Sequence, residues 1–174
     1  MSSVQPFDTQ ETATRLRESL STIEWAVSVV PERWSHDLPD FYTQGEWGVA
    51  MNLAHLVVYE ERIALPVLEA LAAGGDGADA TPSGGEDWFL NDAVALSKEE
   101  VGVMVERLRK ARVRQIEIVE TYDAQLFNAP VTPLWSSGRH GAVPHSAGWV
   151  ATKTFQHTWE HGNAILRLVL FAPG

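Results

Sequence analysis

The chain has 174 residues, no cysteine and a net charge of −10. That length suits one domain with a full hydrophobic core and is cramped for two, so residues 1–174 read as a single domain. The charge argues against a broad nucleic-acid surface, which needs clustered Lys and Arg to displace phosphate counterions. The missing cysteine excludes a disulfide framework and a thiolate metal site.

No apolar run approaches the ~20 residues that a bilayer span requires. The opening MSSVQPFDTQETATRLRES lacks a charged stretch followed by an apolar one, so it does not read as a secretory signal. The expectation is a cytoplasmic protein with neither membrane nor nucleic acid as partner.

Four long stretches have helical periodicity, and strand signals are scarce. The first covers Thr9 to Val30, with Leu16, Leu20, Ile23, Val27 and Val30 spaced by three and four. Asp8 with Glu11 offers a capping start, and Pro31 stops the helix because its ring removes a donor and clashes with the preceding turn. The second covers Gly48 to Ala73 and closes on Gly74-Gly75, with a kink or break expected at Pro66.

The third begins at Ser97, with Glu100 completing a capping box, and carries an apolar stripe of Val101, Met104, Leu108, Ala111, Ile118 and Tyr122. Its basic residues Arg107, Arg109, Lys110, Arg112 and Arg114 alternate with Glu106, Glu117 and Glu120, which reads as a solvated face. The fourth covers Ser146 to Phe171 through Val150, Phe155, Ile165, Leu166 and Leu170, and Pro173 ends it.

The pattern is all-α, a four-helix bundle with long crossover loops. A long second connection lets the second and third helices run parallel, which short turns forbid. Residues 31–47, 74–96 and 127–145 are expected to be loops, and the Gly/Ala/Asp-rich stretch 72–85 to be mobile.

His157 and His161 are four apart, so on a helix both rings lie on one face, one turn apart. His55 sits about 10 Å into the second helix, and His161 about 15 Å from the far end of the fourth. In antiparallel helices those depths let the three rings meet around one divalent cation inside the bundle. The alternative is three separate histidines, each bonded to a carbonyl or a carboxylate.

GEWGVAMNLAHLVVYEER, followed about a hundred residues later by HTWEHGNAILRL, resembles the DinB-like (DinB/YfiT) superfamily. The shared pattern is a Trp before helix two (Trp47), a His two turns in (His55), and a His-x-x-x-His on helix four (His157, His161). The resemblance implies an up-down-down-up bundle, often a homodimer, with a divalent metal on those three histidines. Some members are similar to thiol S-transferases or thiol-dependent isomerases that use glutathione, bacillithiol or mycothiol, and many have no established activity.

Three neutral imidazoles leave the cation's charge uncompensated and a coordination position open, as in catalytic sites. The open position can take a water or a thiol, and a cysteine-free chain must obtain any thiol from outside. Zinc and nickel are the first candidates, with manganese and iron also compatible with imidazole. Metal-dependent hydrolysis is a second reading, weakened because no carboxylate lies on the faces of His55 or His161. A non-enzymatic bundle binding a ligand or partner around a structural metal is a third.

Asn52 and Tyr59 share the face of His55 as supporting groups or a proton donor, or else simply pack. Glu160 points about 100° away from His161 and is not a ligand. Glu60 and Glu61 read as a solvated face or a partner for Arg62. Trp135, Arg139, His140 and His145 lie before helix four as surface residues or the lining of a substrate entrance. His36 reads as surface, and Trp25, Trp149 and Trp159 as packing residues.

Overall fold

In a computed structural model, the protein is described over residues 6–38, 47–75, 87–131 and 145–170. Helix α1 spans Thr9–Val29, with the Asp8 carboxylate accepting from the Glu11 N–H and Pro31 following its end. Helix α2 spans Val49–Tyr59, a wide π-type turn covers Glu60–Ala64, and α3 spans Leu65–Ala72. Gly74, with φ of 83°, takes the left-handed conformation that ends the stretch. Helix α4 spans Asp87–Leu96, α5 Val101–Thr121, α6 Ala124–Asn128 and α7 Ala147–Leu170.

Side-chain contacts fix the helix directions. Arg17 pairs with Glu120 and Arg109 with Glu24, so α1 and α5 are antiparallel. Phe7 lies against Gly148, and Thr22 and Ile23 lie against Gly162, so α1 and α7 are parallel. Asn52 meets His161 and Tyr59 meets His157, so α2 opposes α7. The four long elements therefore run up, down, down and up.

Two apolar clusters fill the bundle. One joins Leu16, Ile63, Leu68, Val119, Phe127 and Ala151, and the other joins Ile23, Leu53, Val57, Leu108, Ile165 and Leu168. Between them along the helices lie the buried polar residues Ser19, Glu60, Arg112, Gln115 and Thr158.

The expected break at Pro66 is present, dividing the second stretch into α2 and α3, while several other expectations need correction. The break in the second stretch falls before Pro66, which sits in the first turn of α3. A proline at 66 cannot donate to the Arg62 carbonyl. The winding widens ahead of it, and Leu65 N–H bonds to the Glu60 carbonyl five residues back.

Residues 87–96 form α4 where a loop was expected, and α6 is likewise helical. The Ser97 capping box does not form. Ser97 Oγ bonds backward to the Val94 carbonyl at the end of α4, and Glu100 caps α5 without a side-chain bond. Leu170, 74% exposed, and Trp25, 56% exposed, are not core residues. Trp149 is 39% exposed, and its ring stacks on His145. Most of the expected mobile stretch 72–85 lies outside the described residues. No described helix is long and apolar enough to cross a membrane.

Candidate metal centre

Helix α2 presents Asn52, His55 and Tyr59 on one face, at spacings of three and four. Helix α7 presents His157 and His161 one turn apart on the face it turns toward α2. The three imidazoles meet between the helices. His157 Nε2 lies 3.0 Å from His55 Nε2 and 3.0 Å from His161 Nε2. Among the described residues these three form a group that could hold a metal ion, and no carboxylate joins them.

A hydrogen-bond network does not satisfy this arrangement. Each Nε2 has one in-plane site, carrying either a proton or a lone pair. His157 Nε2 therefore serves one of its two neighbours well and leaves the other facing it without a bond. A single cation between the three nitrogens uses all three lone pairs at once, at the ~2.0–2.1 Å typical of zinc–imidazole bonds. The donor set thus fits a divalent metal.

Asn52 supplies the clearest support. Its Nδ2 donates to the Trp47 and Gly48 carbonyls, both at 2.9 Å, which fixes the amide orientation. Its Oδ1 lies 2.7 Å from His161 Nδ1. An amide oxygen only accepts, so the proton of His161 sits on Nδ1 and the Nε2 lone pair faces the centre. His55 Nδ1 and His157 Nδ1 are buried with no hydrogen-bond partner among the described residues.

Electrostatics favour the neutral, ligating form of all three rings. Burial lowers His55 to about 4. Burial, then the neighbouring His55, lowers His161 to about 3. His157 falls well below the ordinary value, chiefly through burial and then through the other two rings.

Aromatic side chains enclose the rings. Trp47 stacks on His161 with centroids 5.9 Å apart and lies 4.9 Å from His55. Phe89, from α4, meets His55 edge-on at 4.6 Å, and Tyr59 meets His157 edge-on at 4.7 Å. The Tyr59 hydroxyl bonds Thr154, and burial raises its pKa above the ordinary value. Phe89 is a site neighbour that the linear sequence does not reveal, because it stands on a helix hidden in a stretch without strong periodicity.

The expectation for Glu60 and Glu61 needs correction. Glu60 is fully buried and pairs with Arg112, while Glu61 pairs with Arg107 and Arg62 with Asp92. Arg112 accordingly leaves the solvated basic face, whereas Arg109 and Arg114 remain on it among acidic partners.

Glu160 is exposed, as expected. His36 is exposed, with its Nδ1 3.2 Å from the Ser97 carbonyl. The His145 carbonyl accepts from Val131 N–H at 2.8 Å. Trp135, Arg139 and His140 lie outside the described residues.

The fold and its three-histidine cluster define a class of helical-bundle protein with a candidate metal centre, and solved structures give the fold its place. A protein from Streptococcus pneumoniae superposes with a TM-score of 0.75 at 9% identity, covering 98% of this chain and 96% of that one. A mycothiol-dependent maleylpyruvate isomerase gives 0.69 at 14% identity, covering 93% of this chain and 63% of the isomerase. The colibactin self-resistance protein ClbS, solved with a dsDNA, gives 0.70 at 12% identity, covering 98% and 100%. The chain has the DinB/YfiT-like helical fold. No family model and no curated protein matches the sequence.

Proposed function

We propose that the chain is a metal-dependent enzyme in which His55, His157 and His161 hold one divalent cation, zinc or nickel first. Its reaction is S-transfer or isomerisation with a low-molecular-weight thiol. The observation that carries this reading is the convergence of three Nε2 atoms on one point, with Asn52 fixing the tautomer of His161. Residues 1–174 act as one domain, and the active form is a cytoplasmic homodimer.

A bound divalent cation, held by His55, His157 and His161, would supply Lewis acidity that lowers the pKa of a thiol or water at the centre. The chain's own residues do the rest. Asn52 holds His161 in its ligating tautomer. Trp47, Phe89 and Tyr59 keep the rings oriented and limit water. With no cysteine in the chain, the soft nucleophile comes from a free thiol. The structural likeness to a mycothiol-dependent maleylpyruvate isomerase supports that choice.

Hydrolysis is the weaker reading, because it needs a general base beside the centre. Glu60 is the carboxylate adjacent in sequence to Tyr59, and both its oxygens are taken by Arg112 and Gln115. The test is turnover of electrophilic acceptors by metal-loaded protein across a panel of glutathione, bacillithiol and mycothiol. Thiol-dependent turnover that His157→Ala abolishes is expected. Hydrolysis indifferent to every thiol would replace this reading with the second.

A further inference from the structure

A fully buried charged pair is bonded to Thr158, the residue after His157, and includes Glu60, the residue after Tyr59. Arg112 and Glu60 are both fully buried. Arg112 uses every donor of its guanidinium. Nε donates to Glu60 Oε2 at 3.1 Å, and one Nη donates to the Leu16 carbonyl at 2.8 Å and to Ser19 Oγ at 2.5 Å. The other Nη donates to Glu60 Oε1 and to Thr158 Oγ1, the latter at 2.7 Å. Gln115 Nε2 completes the Glu60 carboxylate at 2.9 Å. Four elements therefore meet in one node: α1, the start of the π-type turn, α5 and α7.

The sequence neighbours of this node belong to the centre. Thr158 follows His157, and Glu60 follows Tyr59, whose ring edge packs on His157. The π-type turn begins at Glu60, so the helix carrying His55 changes its winding where the node grips it. A buried ion pair is weak as a source of stability, since well-packed apolar residues commonly replace one without loss. Its strength is directional. A planar five-donor group with fixed partners on several helices permits one register.

We infer that Arg112, through Glu60 and Thr158, is a positioning residue that sets the register of α2 against α7 and so the convergence of His55, His157 and His161. This rests on the metal reading above and adds a residue set to it. His161 already has Asn52 to orient it, whereas His157 Nδ1 has no acceptor among the described residues. Its placement falls to the backbone and to Tyr59, which precedes Glu60 in the chain.

The test compares cobalt(II) binding, by chelator competition and visible spectrum, in wild-type protein, Glu60→Met/Arg112→Met, Thr158→Val and Thr158→Ser. The double variant is expected to melt, metal-free, close to the wild-type temperature. Its cobalt affinity should be about 10-fold or more weaker, with an altered spectrum. Thr158→Val should weaken binding and Thr158→Ser should retain it.

A double variant that binds cobalt with wild-type affinity and spectrum overturns the inference. Should that variant fail to fold, the two Thr158 variants decide, and equal affinity in both overturns it. Wild-type protein that takes up no cobalt overturns the metal reading and this inference together, and is recognised before any variant is compared.

Discussion

The side-chain oxygen of Asn52 lies 2.7 Å from Nδ1 of His161, and that bond determines which nitrogen of the imidazole is free to ligate. Asn52 can do this because its own amide is pinned by two backbone carbonyls just ahead of α2. The start of α2 is thereby linked to the middle of α7. Replacing Asn52 with Leu removes the acceptor, frees the ring tautomer and takes the side-chain donor from the Trp47 carbonyl, while the Gly48 carbonyl keeps the backbone N–H of residue 52. Metal affinity should fall about 10- to 100-fold, measured by chelator competition. Stability should fall by about 1–3 kcal/mol, measured by denaturant unfolding.

The three lowered histidine pKa values make the metal-free protein acid-sensitive. In the unfolded chain each ring titrates near 6.5, whereas in the folded chain His55 holds out to about 4 and His161 to about 3. Between those limits the unfolded state binds more protons, so stability is complete above about pH 6.5 and is lost as pH falls through the folded values. His55 and His161 each contribute a slope of up to about 1.4 kcal/mol per pH unit in that window, and His157 adds in the same direction. Urea unfolding of metal-free protein at pH 7, 6 and 5 should show the decline, and His161→Leu should flatten it.

Gly148 is required by the close approach of Phe7. A Cβ at 148 would lie 2.7 Å from Phe7 Cδ2 and 2.8 Å from Phe7 Cβ. Phe7 has little room to give, because Asn128 bonds both its N–H and its carbonyl. Gly148→Ala should cost about 1–3 kcal/mol by overpacking. The same substitution in a Phe7→Ala background should cost clearly less, and equal costs would show that the two sites are uncoupled.

Breaking the Glu60–Arg112 pair should be far worse than removing it. Arg112→Met strands a carboxylate in a dry core and should cost about 3–5 kcal/mol, while Glu60→Met/Arg112→Met should cost little. Thermal melts of the two variants check this, and the single variant melting higher than the double would contradict it.

Much of the scaffold is legible in the sequence because it rests on local chemistry. Asp8 and Pro31 bound α1, Gly74 ends α3, and the four-residue spacing of His157 and His161 puts both rings on one face. His55 joins them because two antiparallel helices of known rise bring similar depths together. The buried ion pair reads as a solvated face in the sequence because charged residues on a helix ordinarily face water. The apolar stripe of α5 nonetheless carried the signal. Leu108, Ala111 and Ile118 continue one face only if Gln115 lies on it, with Arg112 beside Ala111, and both are fully buried. Helix α4 was hidden for a different reason. Its ten residues gain their order from packing on α2, and Phe89 reaches His55 only once that packing exists.

The most direct measurement is the metal content of tag-free protein, reconstituted and desalted, beside His157→Ala prepared in the same way. His157 Nε2 stands between the other two ligand atoms, so its loss should leave no chelating set. The expected result is one divalent ion per wild-type chain and none in the variant. Wild-type protein that retains no stoichiometric metal, or a variant that retains as much as wild type, would contradict the three-histidine centre.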